Sequence, residues 1–224
     1  MLTLYYAPGS CARASHIALR EAGADFDLQL VDFASAEQRS EAYLKVNPKG
    51  RVPALQTERG ILTETPAILA YVAQSFPAAN LAPLDDPFEF ARLQAFNSYL
   101  CATVHVAHAH SRRGERWADD PAAIAEMKRK TPEVVADCFL TIEDRFFTGP
   151  WVMGGTYSVA DAYLFTIAQW LPVHRINSAR YPKVRDHMSR MLDRPAVQAA
   201  LALSLIHISE PTRPFTLSRM PSSA

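Results

Sequence analysis

Cysteine is scarce in this sequence, and its scarcity excludes two kinds of protein. The 224 residues include three cysteines, Cys11, Cys101 and Cys138. Three widely separated cysteines are too few for a disulfide framework, so we expect a protein of a reducing compartment. No second cysteine lies within three residues of Cys11, which excludes a local dithiol redox site at that position.

The sequence also lacks an excess of charge of either sign and a long apolar run. Its 23 lysines and arginines equal its 23 aspartates and glutamates, so no overall field attracts nucleic acid or an anionic membrane surface. No apolar run is long enough to cross a bilayer, and the first residues show no signal-peptide pattern. We therefore expect a cytoplasmic protein without nucleic-acid or membrane partners, with one large domain or two small ones.

The N-terminal residues predict a strand, a turn and a helix, with a cysteine where the helix begins. The apolar run 2–6 predicts the strand, Ala7-Pro8-Gly9 interrupts it, and the helix-forming segment that follows stops at Gly23. Cys11 falls at or just before the first helical turn, where backbone N–H groups and the helix dipole favour a thiolate. The alternative is inert packing, because free cysteine is among the most buried residue types.

The rest of the first half predicts three more strands and one well-marked helix. Residues 26–31 suggest a second strand parallel to the first, which completes a βαβ unit. Residues 51–62 predict a hairpin with its turn at Glu58-Arg-Gly60. Thr65 is a suitable N-cap for the next helix, and Pro66 suits the first helical position.

The second half of the sequence predicts a bundle of helices. Long helices are predicted over 88–113 and 122–147, with a kink or break in the second at Thr131-Pro132. Ser158 and Asp161 have the spacing of a capping box. They precede a helix that is apolar on nearly all sides, which predicts that it is central and buried.

Four segments, in order along the chain, resemble the cytosolic glutathione transferases of the bacterial beta class. They are residues 3–23 with the cysteine at position 11, Asn47-Pro-Lys-Gly-Arg-Val-Pro-Ala-Leu55, Thr63-Glu-Thr-Pro-Ala-Ile68 and Gly155-Thr-Tyr-Ser-Val-Ala-Asp-Ala-Tyr163. The resemblance implies an α/β plus all-α fold, with an N-terminal thioredoxin-like domain and a C-terminal helical-bundle domain. It also implies a homodimer that uses glutathione as co-substrate.

The domain boundaries follow from the resemblance and from the proline-rich stretch in the middle of the chain. The thioredoxin-like, glutathione-binding domain is expected over 1–77, a linker over 78–86 and the all-helical domain over 87–203. Residues 204–224 are rich in proline, serine and threonine and fit no helix or strand pattern. They are predicted to be a disordered tail or a segment foreign to the natural protein.

The resemblance implies a glutathione site formed by Val52, Pro53, Glu64 and Thr65. A cis Val52–Pro53 bond would leave the Val52 backbone unpaired at a sheet edge, where the cysteinyl part of glutathione docks like an added strand. Helix N–H groups and the Thr65 hydroxyl would bind the γ-glutamyl carboxylate, and Glu64 would balance the ammonium. The alternatives are that Val52–Pro53 is an ordinary trans bond in a loop, that Thr65 is only an N-cap, and that Glu64 is an exposed surface acid.

The resemblance implies catalytic roles for Cys11, Tyr6, Ser10 and His105. In other classes of the family a tyrosine at the place of Tyr6 donates a hydrogen bond to the glutathione sulfur, and core packing is the alternative. Ser10 would donate to the same sulfur or cap the helix. His105 would lie over the thiol and share a proton with Cys11 or with glutathione.

His108 and Trp117 are the predicted wall of an apolar electrophile pocket in the helical domain. The spacing of His105, His108 and His110 also invites a metal-site interpretation. No carboxylate or cysteine completes such a site at ligand spacing, so no metal is expected. A polar wall of the substrate pocket is the preferred interpretation of these histidines.

Three positions depart from the beta-class pattern and weaken the implied anchoring of glutathione. Ala36 and Val106 stand where lysine is common, and Ser98 stands where an asparagine reaches the neighbouring subunit's glutathione. Nearby arginines could replace these lost anchors, or they could form a solvated face. They are Arg112, Arg113 and Arg116.

Together these features predict an enzyme, a glutathione transferase that conjugates glutathione to hydrophobic electrophiles. Cys11 adds a predicted glutathione-dependent thiol–disulfide activity through a mixed disulfide. The alternative outside catalysis is a binding module that carries glutathione or apolar ligands.

Overall fold

A computed structural model describes the backbone of residues 1–209 and the side chains of residues 1–202. The first half contains four strands and three α-helices: β1 (Leu2–Tyr6), α1 (Ala12–Glu21), β2 (Phe26–Leu30), α2 (Glu41–Val46), β3 (Ala54–Thr57), β4 (Gly60–Thr63) and α3 (Thr65–Ser75). The strands form one sheet in the order β2-β1-β3-β4, in which β1 is parallel to β2 and antiparallel to β3. This order confirms the predicted thioredoxin-like arrangement.

The second half is helical, as predicted. Its α-helices are α4 (Pro87–Tyr99), α5 (His105–Arg112), α6 (Pro121–Thr141), α7 (Val159–Ala168), α8 (Pro182–Leu192) and α9 (Pro195–Ser209). A π-helical segment, Leu100–Val104, joins α4 directly to α5, and a second one, Ile142–Phe146, extends α6. Such segments insert an extra residue into a turn and are frequent near functional sites.

The predicted break at Pro132 is wrong, because α6 runs through this proline without interruption, whereas the predicted kink there stays a prediction. Pro132 lacks the N–H that an uninterrupted helix would use. The neighbouring Thr131 hydroxyl donates to the Met127 carbonyl at 2.8 Å, and Thr131 and Val135 are buried in the bundle. Tertiary packing of this face outweighs the local preference of proline.

The last helix continues beyond the predicted end of the bundle at residue 203. Residues 201–209 contain neither proline nor glycine, so α9 meets no helix breaker before Ser209. The start of the predicted disordered tail is therefore helical. The rest of that prediction, for residues 210–224, lies outside the described residues.

The central helix α7 begins with the predicted capping box. The Ser158 backbone N–H donates to the Asp161 carboxylate at 2.8 Å, and all ten residues of α7 are buried. The same carboxylate accepts bonds from the Val152 N–H at 2.8 Å and from His187 Nε2 at 3.0 Å. Asp161 thus connects α7 to the preceding loop and to α8.

The two halves share one hydrophobic core, which fixes the cleft between them. A single cluster of buried side chains contains Leu4 and Leu69 from the first half and Phe96 and Tyr163 from the second. Burial of this continuous apolar surface holds α1 and α3 against the helical half. The walls of the cleft between the halves are therefore parts of one packed body.

Candidate active site

Two adjoining cavities lie between the halves of the molecule. Six residues line both of them: Cys11, Arg51, Val52, His105, Ala109 and Arg116. The α3 cavity reaches the start of α3 and is also lined by Asn47, Pro53, Glu64, Thr65 and Trp117. The α5 cavity follows α5 and is also lined by Phe33, His108, Arg112, Arg113, Trp170 and His174. The cleft thus brings together most of the predicted site residues.

Cys11 occupies the N-cap position of α1, at the junction of the two cavities. Its side chain is buried, and Sγ donates to the Val52 carbonyl oxygen at 3.6 Å. Burial raises the pKa of Cys11 to about 11, although a hydrogen bond with the Thr65 side chain lowers it in part. The expected thiolate-stabilising effect of the helix start is therefore outweighed by desolvation.

The Val52–Pro53 bond is cis, as expected, and lies just before β3. The loop before it is fixed by two hydrogen bonds to the Arg51 carbonyl, from Tyr43 Oη at 2.8 Å and from Asn47 Nδ2 at 2.6 Å. Val52 itself is outside the strand ladder. Val52 lines both cavities, so a peptide ligand in the cleft can pair with its backbone.

Glu64 and Thr65 lie at the start of α3, one position away from the predicted capping arrangement. Glu64, not Thr65, is the N-cap residue, and Thr65 is the buried first residue of the helix. Glu64 has a φ of 71°, a conformation that costs a non-glycine residue about 1–3 kcal/mol and is concentrated at ligand sites. Its carboxylate lies 2.7 Å from Lys49 Nζ, so Lys49 already balances its charge.

Ser10 and Tyr6 differ in their relation to the cleft. Ser10 lines the α5 cavity, but its hydroxyl donates to the Ala7 carbonyl at 2.6 Å and accepts from the Ala12 N–H at 3.3 Å. These bonds agree with the alternative in which the Ser10 hydroxyl caps the start of α1. Tyr6 is buried in an apolar cluster with Val31 and lines neither cavity, which agrees with the core-packing alternative.

His105 lines both cavities, as Cys11 does, although the two residues come from different halves of the chain. Its ring packs edge-on against Trp170, with 5.0 Å between the centroids. Burial, followed by the charges of Arg113, Arg51 and Arg116, lowers the pKa of His105 to about 4. His105 is therefore neutral at physiological pH.

The structure places the two predicted electrophile-pocket residues in different cavities. His108 lines the α5 cavity, where Nδ1 lies 2.8 Å from His174 Nε2. Burial lowers the pKa of His108 to about 3, with smaller contributions from His174 and His105. Trp117 lines the α3 cavity, is 46% exposed and packs against His110 with 4.4 Å between the ring centroids.

The residues of the cleft that sequence reasoning did not place in the site include Phe33, Arg51, Trp170 and His174. Trp170 is the most informative of them, because its Nε1–H donates to the Gly9 carbonyl at 3.0 Å. This bond joins the end of α7 to the turn that presents Cys11. The two residues are 161 positions apart, so no local sequence pattern could have indicated the contact.

Among residues 1–202, whose side chains the structure describes, no group of three or more histidine, cysteine, aspartate or glutamate side chains is arranged to hold a metal ion. Over the same part of the chain, no helix has the length and apolar character that crossing a membrane requires.

The fold and the cleft define a two-domain protein in which a thioredoxin-like domain presents a cysteine to a helical domain. The N-terminal domain model of glutathione S-transferases matches residues 1–74, and the C-terminal domain model matches residues 116–195. Glutathione S-transferase GstA of Escherichia coli O157:H7 is 34% identical over 205 residues, which cover 90% of this chain and 98% of the relative. The chain belongs to the glutathione S-transferase family.

Solved structures show the same relationship. A glutathione transferase homologue from Sulfitobacter, with bound glutathione, is 44% identical with a TM-score of 0.88, over 91% of this chain and 98% of the other. The beta-class glutathione S-transferase of Sphingomonas chungbukensis is 35% identical with a TM-score of 0.79, over 90% and 98% of the two chains. The resemblance to bacterial beta-class proteins is thereby confirmed.

Proposed function

We propose that this protein conjugates glutathione to carbon electrophiles, with the Cys11 thiol stabilising the glutathione thiolate. The observation that carries the proposal is the position of Cys11 Sγ, at the helix start, at the junction of the two cavities and 3.6 Å from the Val52 carbonyl. Because the pKa of Cys11 is raised to about 11, the thiol keeps its proton at neutral pH and can donate a hydrogen bond.

Glutathione would occupy the α3 cavity. Its cysteinyl backbone would pair with Val52, and its γ-glutamyl carboxylate would face the N-terminus of α3 at Thr65. When the cysteinyl N–H of glutathione donates to the Val52 carbonyl, it replaces the hydrogen bond from Cys11 Sγ. The Cys11 thiol can then donate to the glutathione sulfur instead. The bound glutathione in the Sulfitobacter relative supports this choice of ligand.

The reaction requires one proton transfer and one exchange of bonds. The glutathione thiol loses its proton to solvent, and its thiolate attacks the electrophilic carbon to form an S–C bond. The leaving group departs with the electron pair of the broken bond. The Cys11 S–H group and the N-terminus of α1 stabilise the thiolate, and neutral His105 on the shared wall can donate its ring N–H to the same sulfur.

Turnover of chlorodinitrobenzene by wild type and two Cys11 variants tests this proposal. Cys11→Ala removes a hydrogen-bond donor worth about 1.5 kcal/mol to a charged acceptor, so kcat/KM should fall about tenfold. Cys11→Ser retains an O–H donor and should keep most of the activity. Cys138→Ala, at a buried cysteine that lines neither cavity, is the matched control.

Two outcomes would overturn the proposal. Equal turnover by wild type and Cys11→Ala would remove Cys11 from the mechanism. Wild type that binds immobilised glutathione but conjugates nothing would favour the non-catalytic binding module, which carries glutathione or apolar ligands.

A second activity, reduction of glutathione mixed disulfides, is supported by the contact of Cys11 with both cavities. Although most of Cys11 is protonated, its small thiolate fraction would attack the glutathione sulfur of the mixed disulfide, and the other thiol would leave as a thiolate that takes a proton from solvent. A second glutathione thiolate would then attack the glutathione sulfur of the Cys11–glutathione disulfide, which forms glutathione disulfide and releases Cys11 as its thiolate. Mass spectrometry of the protein after addition of mixed disulfide should show one glutathione adduct on Cys11, and no adduct in Cys11→Ala.

We also propose a cytoplasmic homodimer, as the family resemblance implies. Sedimentation at micromolar concentration should give the mass of two chains. A monomer under these conditions would contradict the proposed assembly without affecting the proposed chemistry.

A further inference from the structure

The α5 cavity contains four arginines and no acidic residue. The four are Arg51, Arg112, Arg113 and Arg116. Within residues 1–202, none of these four arginines forms an ion pair with a carboxylate, although other arginines of the chain do. A cavity wall that carries positive charge without internal compensation is suited to an anionic ligand.

The arginines influence one another across the cleft. Burial, and then the charges of Arg113, Arg51 and Arg39, lower the pKa of Arg116, and the neighbouring Glu115 opposes this effect in part. Arg113, Arg51 and Arg116 also contribute to the low pKa of His105. Repulsion between like charges destabilises the folded chain unless a ligand relieves it, so the arrangement is better explained by binding than by stability.

Glutathione alone does not account for all four charges. Its thiolate form carries two carboxylates, one thiolate and one ammonium group, and therefore compensates two arginines. Arg51 and Arg116 line both cavities and can face glutathione, whereas Arg112 and Arg113 line the α5 cavity alone. In the α3 cavity the acid Glu64 is already paired with Lys49.

The α5 cavity also has an apolar surface beside these arginines. The Arg113 guanidinium lies over the Phe33 ring, 5.8 Å from its centroid, and Trp170 and Val173 form another part of the lining. A guanidinium presents several donors in one plane and binds carboxylates in a bidentate manner. The cavity thus offers an apolar contact surface with anion-binding groups next to it.

We propose that the second substrate is an organic acid: an electrophile with an apolar body that carries a carboxylate, bound by Arg112 and Arg113. The assignment rests on the proposed conjugation reaction and names the chemical class of its second substrate. The apolar body packs against Phe33 and Trp170, and the reactive carbon faces Cys11 and the glutathione sulfur at the junction of the cavities.

A matched pair of electrophiles tests the assignment. Chlorodinitrobenzoate and its neutral carboxamide have the same ring and leaving group, and each rate is divided by the uncatalysed rate with glutathione. We expect wild type to favour the carboxylate about tenfold in kcat/KM. The preference should shrink as salt is added, because the arginines are partly exposed and are screened.

Variants identify the residues responsible. The double variant Arg112→Gln/Arg113→Gln should lower kcat/KM for the carboxylate about ten times more than for the carboxamide. The control is Arg59→Gln, which removes an exposed arginine from the β3–β4 turn outside both cavities. This variant should keep the wild-type preference.

Three results would overturn the assignment. Equal turnover of the two electrophiles would show that the cavity does not select an anion. A raised KM for glutathione in the double variant, with an unchanged ratio of electrophiles, would assign the arginines to the glycine carboxylate of glutathione. Inhibition by excess glutathione that competes with chlorodinitrobenzoate would identify a second glutathione as the occupant.

A binding measurement separates this assignment from the reaction itself. Unreactive dinitrobenzoate should bind to wild type in the presence of S-methylglutathione and bind at least tenfold more weakly to the double variant. This result would support the anionic subsite even if neither electrophile were conjugated, in which case the proposed conjugation fails alone. Equal binding to both proteins would contradict the subsite directly.

Discussion

Trp170 shows how one residue of the helical half can control the cysteine of the other half. Its Nε1–H donates to the Gly9 carbonyl at 3.0 Å, and its ring contacts those of His105 and His108. Gly9 has a φ of 70°, which glycine adopts without the cost that other residues have. Trp170 therefore fixes the turn that leads into Cys11 and part of the wall opposite it.

Trp170→Phe should lower activity without a comparable loss of stability. The phenyl ring keeps contact with His105, but the donor to Gly9 is lost, so the turn before Cys11 becomes less well fixed. We expect kcat/KM for chlorodinitrobenzene to fall about 3- to 10-fold, with a change in unfolding free energy below about 1 kcal/mol. Trp151→Phe, remote from the cleft, is the control for activity. Unchanged kcat/KM in Trp170→Phe would refute the positioning role.

For single residues, the sequence allowed the positions of the reactive groups to be predicted better than their protonation states. The helix-start position of Cys11 follows from a local pattern of turn residues, whereas the cis bond at Val52 was implied only by the family resemblance. The raised pKa of Cys11 and the neutral state of His105 depend on burial by distant segments. Desolvation is a property of the packed cleft, so local spacing carries no information about it.

Between elements, the contact of α1 with the C-terminal helices is reinforced by an ion pair. Arg194, which follows α8, donates to both carboxylate oxygens of Glu21 at 2.6 and 2.7 Å. Its guanidinium also lies 3.8 Å from the centroid of the Tyr157 ring. Both partners are largely shielded, at 28% and 12% side-chain exposure, so the pair is less screened than a surface ion pair.

Arg194→Gln should therefore destabilise the protein. Loss of the bidentate pair and of the cation–π contact should cost about 1–3 kcal/mol in chemical denaturation. Arg129→Gln is the matched control, because its partner Glu126 lies three residues away on an exposed face of α6. That variant should change the unfolding free energy much less than Arg194→Gln does, because solvent screens this exposed pair. Equal effects of the two substitutions would contradict a specific role for the Glu21–Arg194 pair.

Element boundaries show where local sequence rules stop being sufficient. The capping box at Ser158 and Asp161 is predictable because it is a short-range pattern of hydrogen bonds. The continuity of α6 through Pro132 was not predictable, since it depends on burial of the neighbouring residues. The N-cap of α3 was misplaced by one residue, because the backbone at Glu64 adopts a positive φ that the sequence does not signal.

For the whole molecule, buried histidines couple stability to pH. His16 and His108 are almost completely buried. Burial is the main cause that lowers their pKa values, to about 4 and about 3 respectively. An unfolded chain protonates histidine near pH 6.5, so below that pH the unfolded state binds more protons than the folded state. Stability therefore falls as the pH falls from about 6.5 towards 4.

Chemical denaturation at two pH values checks this coupling. Between pH 7 and pH 5, each of the two histidines should reduce the unfolding free energy by about 1–2 kcal/mol. His16→Gln removes one titrating group. The difference in unfolding free energy between pH 7 and pH 5 should therefore become smaller by the contribution of one histidine, even if the variant also changes stability at pH 7. Identical unfolding free energies of wild type at the two pH values would show that these histidines are protonated in the fold.

We propose that the protonated Cys11 thiol stabilises the glutathione thiolate, and this effect can be measured as the thiol pKa of glutathione bound to the protein. Thiolate absorbance in the ultraviolet can be titrated for wild type, Cys11→Ala and Cys11→Ser, each saturated with glutathione. We predict a bound thiol pKa well below its free value of about 8.5 in wild type, an increase of about one unit in Cys11→Ala and partial recovery in Cys11→Ser. A bound glutathione that titrates identically in wild type and Cys11→Ala would contradict the claim.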